Sequence, residues 1–169
     1  MNSVRPSRVM HSSAEETTPK EAYLEAVTQI ERLHRQLLDV IKDELDRTSV
    51  ADINSVQALL LFNVGETELT AGELRTRGHY LGSNVSYNLK KLVETGYIHH
   101  QRSDLDRRSV RVRLTEKGRK ISVLVNALYE RHISAIMEIG IASKDEIEVM
   151  NSVLRRLERF WADQIRYRL

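Results

Sequence analysis

The hydrophobic period of this chain changes sharply at Gly96. Before it, Val85, Leu89, Leu92 and Val93 recur at three and four residues, the spacing of one helix face. Beyond it, Tyr97-Ile98-His99-His100-Gln101-Arg102 reads as a strand. A second strand, Ser109–Leu114, alternates Val110, Val112 and Leu114 with Arg111 and Arg113, the two-residue period of a half-buried strand. Residues 103–108 form the tip between the two strands, and glycine at 96 suits the left-handed residue that ends a helix. An isolated hairpin is marginal in water, so this one must lie against the helices around it.

Those helices announce themselves by their caps. Thr18-Pro19-Lys20-Glu21 combines a capping threonine, proline at the first helical position and a capping-box glutamate. A long helix over 18–47 follows, with Tyr23, Val27, Ile30, Leu33, Leu37, Ile41 and Leu45 on one stripe. Asn54-Ser55-Val56-Gln57 caps a second helix whose run from Val56 to Phe62 is apolar almost all round, which predicts burial. Thr70-Ala71-Gly72-Glu73 opens a short third helix ending near Gly78, and Leu81-Gly82-Ser83-Asn84 opens the fourth. After the hairpin, Thr115 caps a helix carrying Ile121, Leu124, Val125, Leu128, His132, Ile136 and Ile139, stopped by Gly140. Ser143-Lys144-Asp145-Glu146 starts the last, with Ile147, Met150, Leu154, Leu157, Trp161 and Ile165 on one side. The expected fold is mainly α with a small β-hairpin. Seven glycines and two prolines in 169 residues agree with it. The expected divisions are a tail over 1–17, a helix over 18–47, a reading head over 48–118 and terminal helices over 119–169.

Charge is distributed unevenly. Thr70–Lys120 holds twelve Lys and Arg against five Asp and Glu, a surplus of seven, whereas the rest of the chain carries fourteen against nineteen. A basic segment within an acidic body suits a module that docks on a polyanion with one face. Two short helices joined by a turn and followed by a basic hairpin describe a winged helix-turn-helix, whose second helix enters the major groove. On that helix, 83–95, the residues Ser83, Asn84, Ser86, Tyr87, Asn88, Lys90 and Lys91 lie off the apolar stripe and offer donors and acceptors for base edges and phosphates. An ordinary solvated face would favour Glu–Lys pairs, and none precedes Glu94. Arg107 and Arg108 at the tip, with Arg111 and Arg113 on the outward strand face, suit a minor groove.

Three stretches carry a resemblance: Leu89-Lys-Lys-Leu92, Glu94-Thr-Gly96-Tyr-Ile98 and Asp106-Arg107-Arg108-Ser109 running through Leu114-Thr115-Glu-Lys-Gly118. Over residues 20–168 the chain resembles the MarR family of bacterial transcriptional regulators, and within it the LdtR subgroup associated with an L,D-transpeptidase gene and cell-wall remodelling. The resemblance implies recognition-helix contacts by Ser83, Asn84, Ser86, Tyr87 and Lys91, a minor-groove arginine in Arg108, and a bracing role for Asp106. It also implies a pocket for a small effector, for which His34, Arg35, Phe62 and Tyr129 are the candidate wall. The turn Gly78-His79-Tyr80-Leu81-Gly82 departs from the Leu-Gly-Leu-polar sequence usual in the family.

Burial predicts a homodimer. Neither terminal helix can hide its stripe on a reading head of this size, so Tyr23, Val27, Ile30, Leu154, Leu157, Trp161 and Ile165 are expected to pack on a second copy, with Ile147 beside them. The expected partners are therefore double-stranded DNA, a second copy and a small effector.

Several chemistries are disfavoured. Zero cysteines exclude disulfides, thiolate metal sites and thiol switches. Adjacent His99 and His100 on a strand point to opposite faces and cannot share a metal. His132 reads as a hydrogen-bonded core histidine. No catalytic triad, phosphate loop or carboxylate pair stands out, so neither enzyme activity nor a cofactor is expected. With no apolar run near 18–20 residues, the expectation is a cytoplasmic protein without membrane contact. The rival function is a winged-helix module for protein assembly that does not bind DNA.

Overall fold

The computed structural model describes residues 17–70, 73, 82–102 and 110–167. Its elements, in chain order, are α1 (Pro19–Arg47), α2 (Ser55–Val64), β1 (Leu69–Thr70), α3 (Gly82–Glu94), β2 (Ile98–Arg102), β3 (Val110–Leu114), α4 (Glu116–Ile139) and α5 (Lys144–Tyr167). The expected tail, the short third helix, the turn at 78–81 and the hairpin tip fall wholly or largely outside the described residues.

The expected caps are present. Thr18 and Glu21 exchange bonds at the start of α1, as Asn54 and Gln57 do at α2 and Ser143 and Glu146 at α5. Such local reciprocity satisfies amides that a helix N-terminus otherwise leaves open. Thr70 and Glu73 also exchange bonds, the amide of Thr70 donating to Glu73 and that of Glu73 to the Thr70 hydroxyl.

The chain divides into two compact units, residues 1–39 and 40–169. In the first, the described part of α1 exposes Tyr23 and half-buries Val27 and Ile30. The second holds the core. There α2 packs on α4, and Ala58, Leu60, Leu61 and Val64 of α2 are buried together with Ile121, Val125 and Leu128 of α4. Leu89 and Leu92 of α3, Ile98 of β2 and Val112 and Leu114 of β3 complete it.

The sheet is antiparallel in the order β1-β3-β2. Ile98 faces Leu114, His99 faces Arg113 and Gln101 faces Arg111, the register expected for the hairpin. A third strand was not expected: Leu69 pairs with Val112 and Thr70 with Arg111. Two residues are too few to show a period, and only a partner far along the chain makes them a strand.

Two sequence expectations change. His132 is half-buried rather than in the core, because the α4 stripe leaves the core beyond Leu128, and Ile139 at its end is exposed. Strand β2 starts at Ile98, since Tyr97 is drawn into the contacts that join the hairpin to α4. Among the described residues no helix is long and apolar enough to cross a membrane, and no group of three acidic or histidine side chains is placed to hold a metal ion.

Candidate nucleic-acid interface

Helix α3 is anchored on one side and open on the other. Leu89 and Leu92 enter the core, while Ser86, Tyr87, Lys90 and Lys91 are exposed and Asn88 is half-buried. Tyr87 is 63% exposed, an unusual position for an aromatic ring with no buried role. Lys91 reaches Glu94 at 3.2 Å and Lys90 reaches the same carboxylate at 3.9 Å, so one acid at the end of the helix serves both cations. Ser83 and Asn84 occupy the first turn.

The outward face of the sheet adds more cations. Arg111 and Arg113 are exposed, as is His99 opposite Arg113, whereas Val112 and Leu114 between them are buried. The Arg111 guanidinium is 3.1 Å from Glu68, just before β1. Asp106, Arg107 and Arg108 lie outside the described residues.

Tyr97, Thr115, Lys117 and Gly118 join the end of α3, the hairpin and α4 at one corner. Gly96 takes φ +77°, and the amide of Tyr97 then reaches the Leu92 carbonyl at 2.8 Å, which closes α3 and turns the chain into β2. The Thr115 hydroxyl donates to the Gly96 carbonyl at 2.7 Å and accepts from the Gly118 amide at 3.1 Å, locking the two elements while capping α4. Lys117 donates to Asp52 at 2.6 Å and to the Thr95 carbonyl at 3.1 Å, with its ammonium 4.0 Å from the centre of the Tyr97 ring. The Tyr97 hydroxyl donates to the other Asp52 oxygen at 2.5 Å. These contacts set the acid–base character of the cluster. Hydrogen bonds from Lys117 and Tyr97 hold the Asp52 carboxyl below its ordinary range, and burial raises the Tyr97 phenol. The bond to Asp52 holds the Lys117 ammonium above its usual range.

A family model described as a winged helix DNA-binding domain matches residues 53–118. A relative from Rhizobium meliloti (strain 1021), the exopolysaccharide II synthesis transcriptional activator ExpG, is 39% identical over 148 residues, covering 86% of this chain and 74% of that protein. The chain belongs to the MarR family of winged-helix transcriptional regulators. Among solved structures, FabT from Streptococcus pneumoniae, determined in complex with DNA, is 26% identical with a TM-score of 0.65 and covers 83% of this chain and 98% of its own. A MarR regulator from Methanosarcina mazei Go1, 24% identical with a TM-score of 0.61 over 82% of this chain and 98% of its own, shares the fold.

In this MarR regulator two of the four residues considered for an effector wall come together. Phe62 and Tyr129 meet edge to face with ring centres 5.1 Å apart. His34 and Arg35 are exposed in the first unit, where Arg35 lies 3.5 Å from Glu31. Near Tyr129, Arg131 donates at 2.6 Å to Glu44, a largely buried carboxylate on α1, and lines a groove of about 470 Å³ along α4 with Glu130, Ser134 and Glu138. Of the residues expected at the dimer contact on α5, Leu154 and Ile165 are exposed and Leu157 and Trp161 half-buried; the helix buries no residue at all.

Sequence reasoning missed Asp52, Glu68 and Glu44. Asp52 is 45 residues from Tyr97 and 65 from Lys117, Glu44 is 87 from Arg131, and no periodicity links them. Glu68 could have been found only by knowing that β1 exists.

Proposed function

We propose that this regulator works as a homodimer on a pseudo-palindromic operator, each copy laying α3 in a major groove and its hairpin tip in the neighbouring minor groove. The observation that carries this reading is the two-sided character of α3. Leu89 and Leu92 fix the helix, and Ser86, Tyr87, Lys90 and Lys91 are exposed, as are Arg111 and Arg113 of the strand face. Hydroxyl, amide and ammonium groups on one helix face suit base edges and phosphates. Ser83 and Asn84 in the first turn, and Arg107 and Arg108 at the tip, complete the proposed contact set.

Dimerisation is supported by α5. A 24-residue helix with a continuous apolar side and no buried residue is incomplete by itself, and a second copy supplies the same surface in return. Two reading helices then meet half-sites on the order of 34–36 Å apart. The Phe62–Tyr129 pair supports a small aromatic or anionic effector that shifts the affinity for DNA. With the LdtR-like resemblance and the function in the name of ExpG, the target genes proposed are those of envelope or extracellular polysaccharide, read in the cytoplasm.

Recovering genomic fragments bound by the pure protein, then titrating one fragment against salt, tests the reading. Several phosphate contacts make log affinity fall linearly with log salt. A protein-assembly module would retain no fragment at any salt, and that result overturns the proposal.

A further inference from the structure

We infer that Glu68 is a restraint on sequence-independent DNA binding: it holds Arg111 in an internal ion pair and so withholds that cation from phosphates. The inference rests on the reading that the hairpin face meets DNA, and it revises the expectation that Arg111 is itself a contact.

The register produces the pair. Thr70 lies directly across from Arg111, so Glu68, two residues earlier on the same face, is a diagonal neighbour within reach of a long side chain. Nη1 of Arg111 donates to Oε2 of Glu68 at 3.1 Å across 43 residues of sequence. A carboxylate offers a guanidinium the same kind of charged acceptor as a phosphate. Here it occupies the guanidinium in advance. Among the described residues, neither Arg113, two residues along the same strand face, nor His99 opposite it has a carboxylate partner, whereas Arg111 is neutralised by Glu68.

Energetics favour a restraint over a scaffold. Both side chains are nearly half exposed, at 47% and 40%, and pairs in such positions contribute little to stability. Opening the pair is cheap for the fold, but it leaves a carboxylate facing a polyanion. A duplex therefore gains little from Arg111 while Glu68 is present. This matters in a genome, where roughly 10⁶ or more non-specific sites compete with each operator. Removing one phosphate contact from every such encounter leaves more protein for the operator.

The test compares wild type, Glu68→Gln, Arg111→Ala and the double variant on a labelled 30-base-pair duplex of mixed sequence, by anisotropy across KCl concentrations. Glutamine keeps the size of the side chain and removes its charge. Glu68→Gln should bind more tightly, roughly five- to ten-fold near 0.1 M salt for each copy that meets the duplex, with the salt slope steeper by about 0.9 per copy, the value of one added phosphate contact. Arg111→Ala should bind no more tightly than wild type, because it leaves the Glu68 carboxylate without its cation, and the gain of Glu68→Gln should vanish in the double variant. Unchanged binding by Glu68→Gln, or a gain that persists without Arg111, overturns the inference. If neither wild type nor any variant binds the duplex at the lowest salt, the DNA-binding reading itself fails, which is a different result. Matching circular dichroism melts confirm that folded proteins are compared.

Discussion

Gly118 has no room for a side chain. A Cβ built there would stand 2.2 Å from the carbonyl oxygen of Tyr97, a backbone atom that cannot swing aside. Gly118→Ala is therefore expected to lower stability by about 1–3 kcal/mol or more through overpacking, read as a lower urea midpoint at unchanged slope. Lys117 and Asp52 give the same corner a pH dependence. Because the Asp52 carboxyl is held below its ordinary value, its contribution is complete above about pH 5, where the unfolded group is also ionised, and is lost as pH falls through the lower folded value. Asp52→Asn should accordingly be less stable than wild type at neutral pH and lose less stability than wild type on acidification, as followed by thermal melts from pH 7 to 3. The Leu-Thr-Glu-Lys-Gly run was legible as a family mark, but its purpose was not. Thr115 showed itself by capping the next helix, whereas the need for lysine and glycine comes from Tyr97 and Asp52, which only the folded chain brings near.

Helices were the most legible elements, because caps and stripes act within a few residues. Thr18, Asn54 and Ser143 each reach a partner three positions on, so their sequence is also their structure. Strand β1 was illegible for the opposite reason: Leu69 and Thr70 are a strand only through Val112 and Arg111. The candidate site divides along the same line. The exposed face of α3 could be read from its period, but the carboxylates that temper its cations and those of the sheet, Glu94 excepted, could not. The proposed roles of helix and hairpin can be separated by two substitutions. Arg108→Ala should weaken binding more on A·T-rich than on G·C-rich flanks, because a minor-groove arginine reads groove width. Lys91→Ala should weaken binding about equally on all sequences and lower the salt slope by about one per copy, or by less if Glu94 already holds part of that charge. Equal flank preference with and without Arg108 in titrations at fixed salt would remove the hairpin from the reading.

At the scale of the whole molecule, the apolar sides of the terminal helices are the unfinished surface. Leu157 and Trp161 lie half-buried at the centre of the α5 stripe, with Leu154 and Ile165 exposed on either side. Replacing both with glutamine should yield monomers in sedimentation, and a wild-type monomer at micromolar concentration would sink the dimer. The corner at Tyr97 has a consequence for anyone who wishes to transplant the reading head between relatives. The domain match begins at residue 53, one position after the carboxylate that receives both Tyr97 and Lys117. A graft cut at that match would carry the lysine and tyrosine into a host and leave their aspartate behind. Chimeras spliced one residue earlier should melt higher than those spliced at 53 whenever the host lacks an acid there, so the functional boundary of the cassette is Asp52.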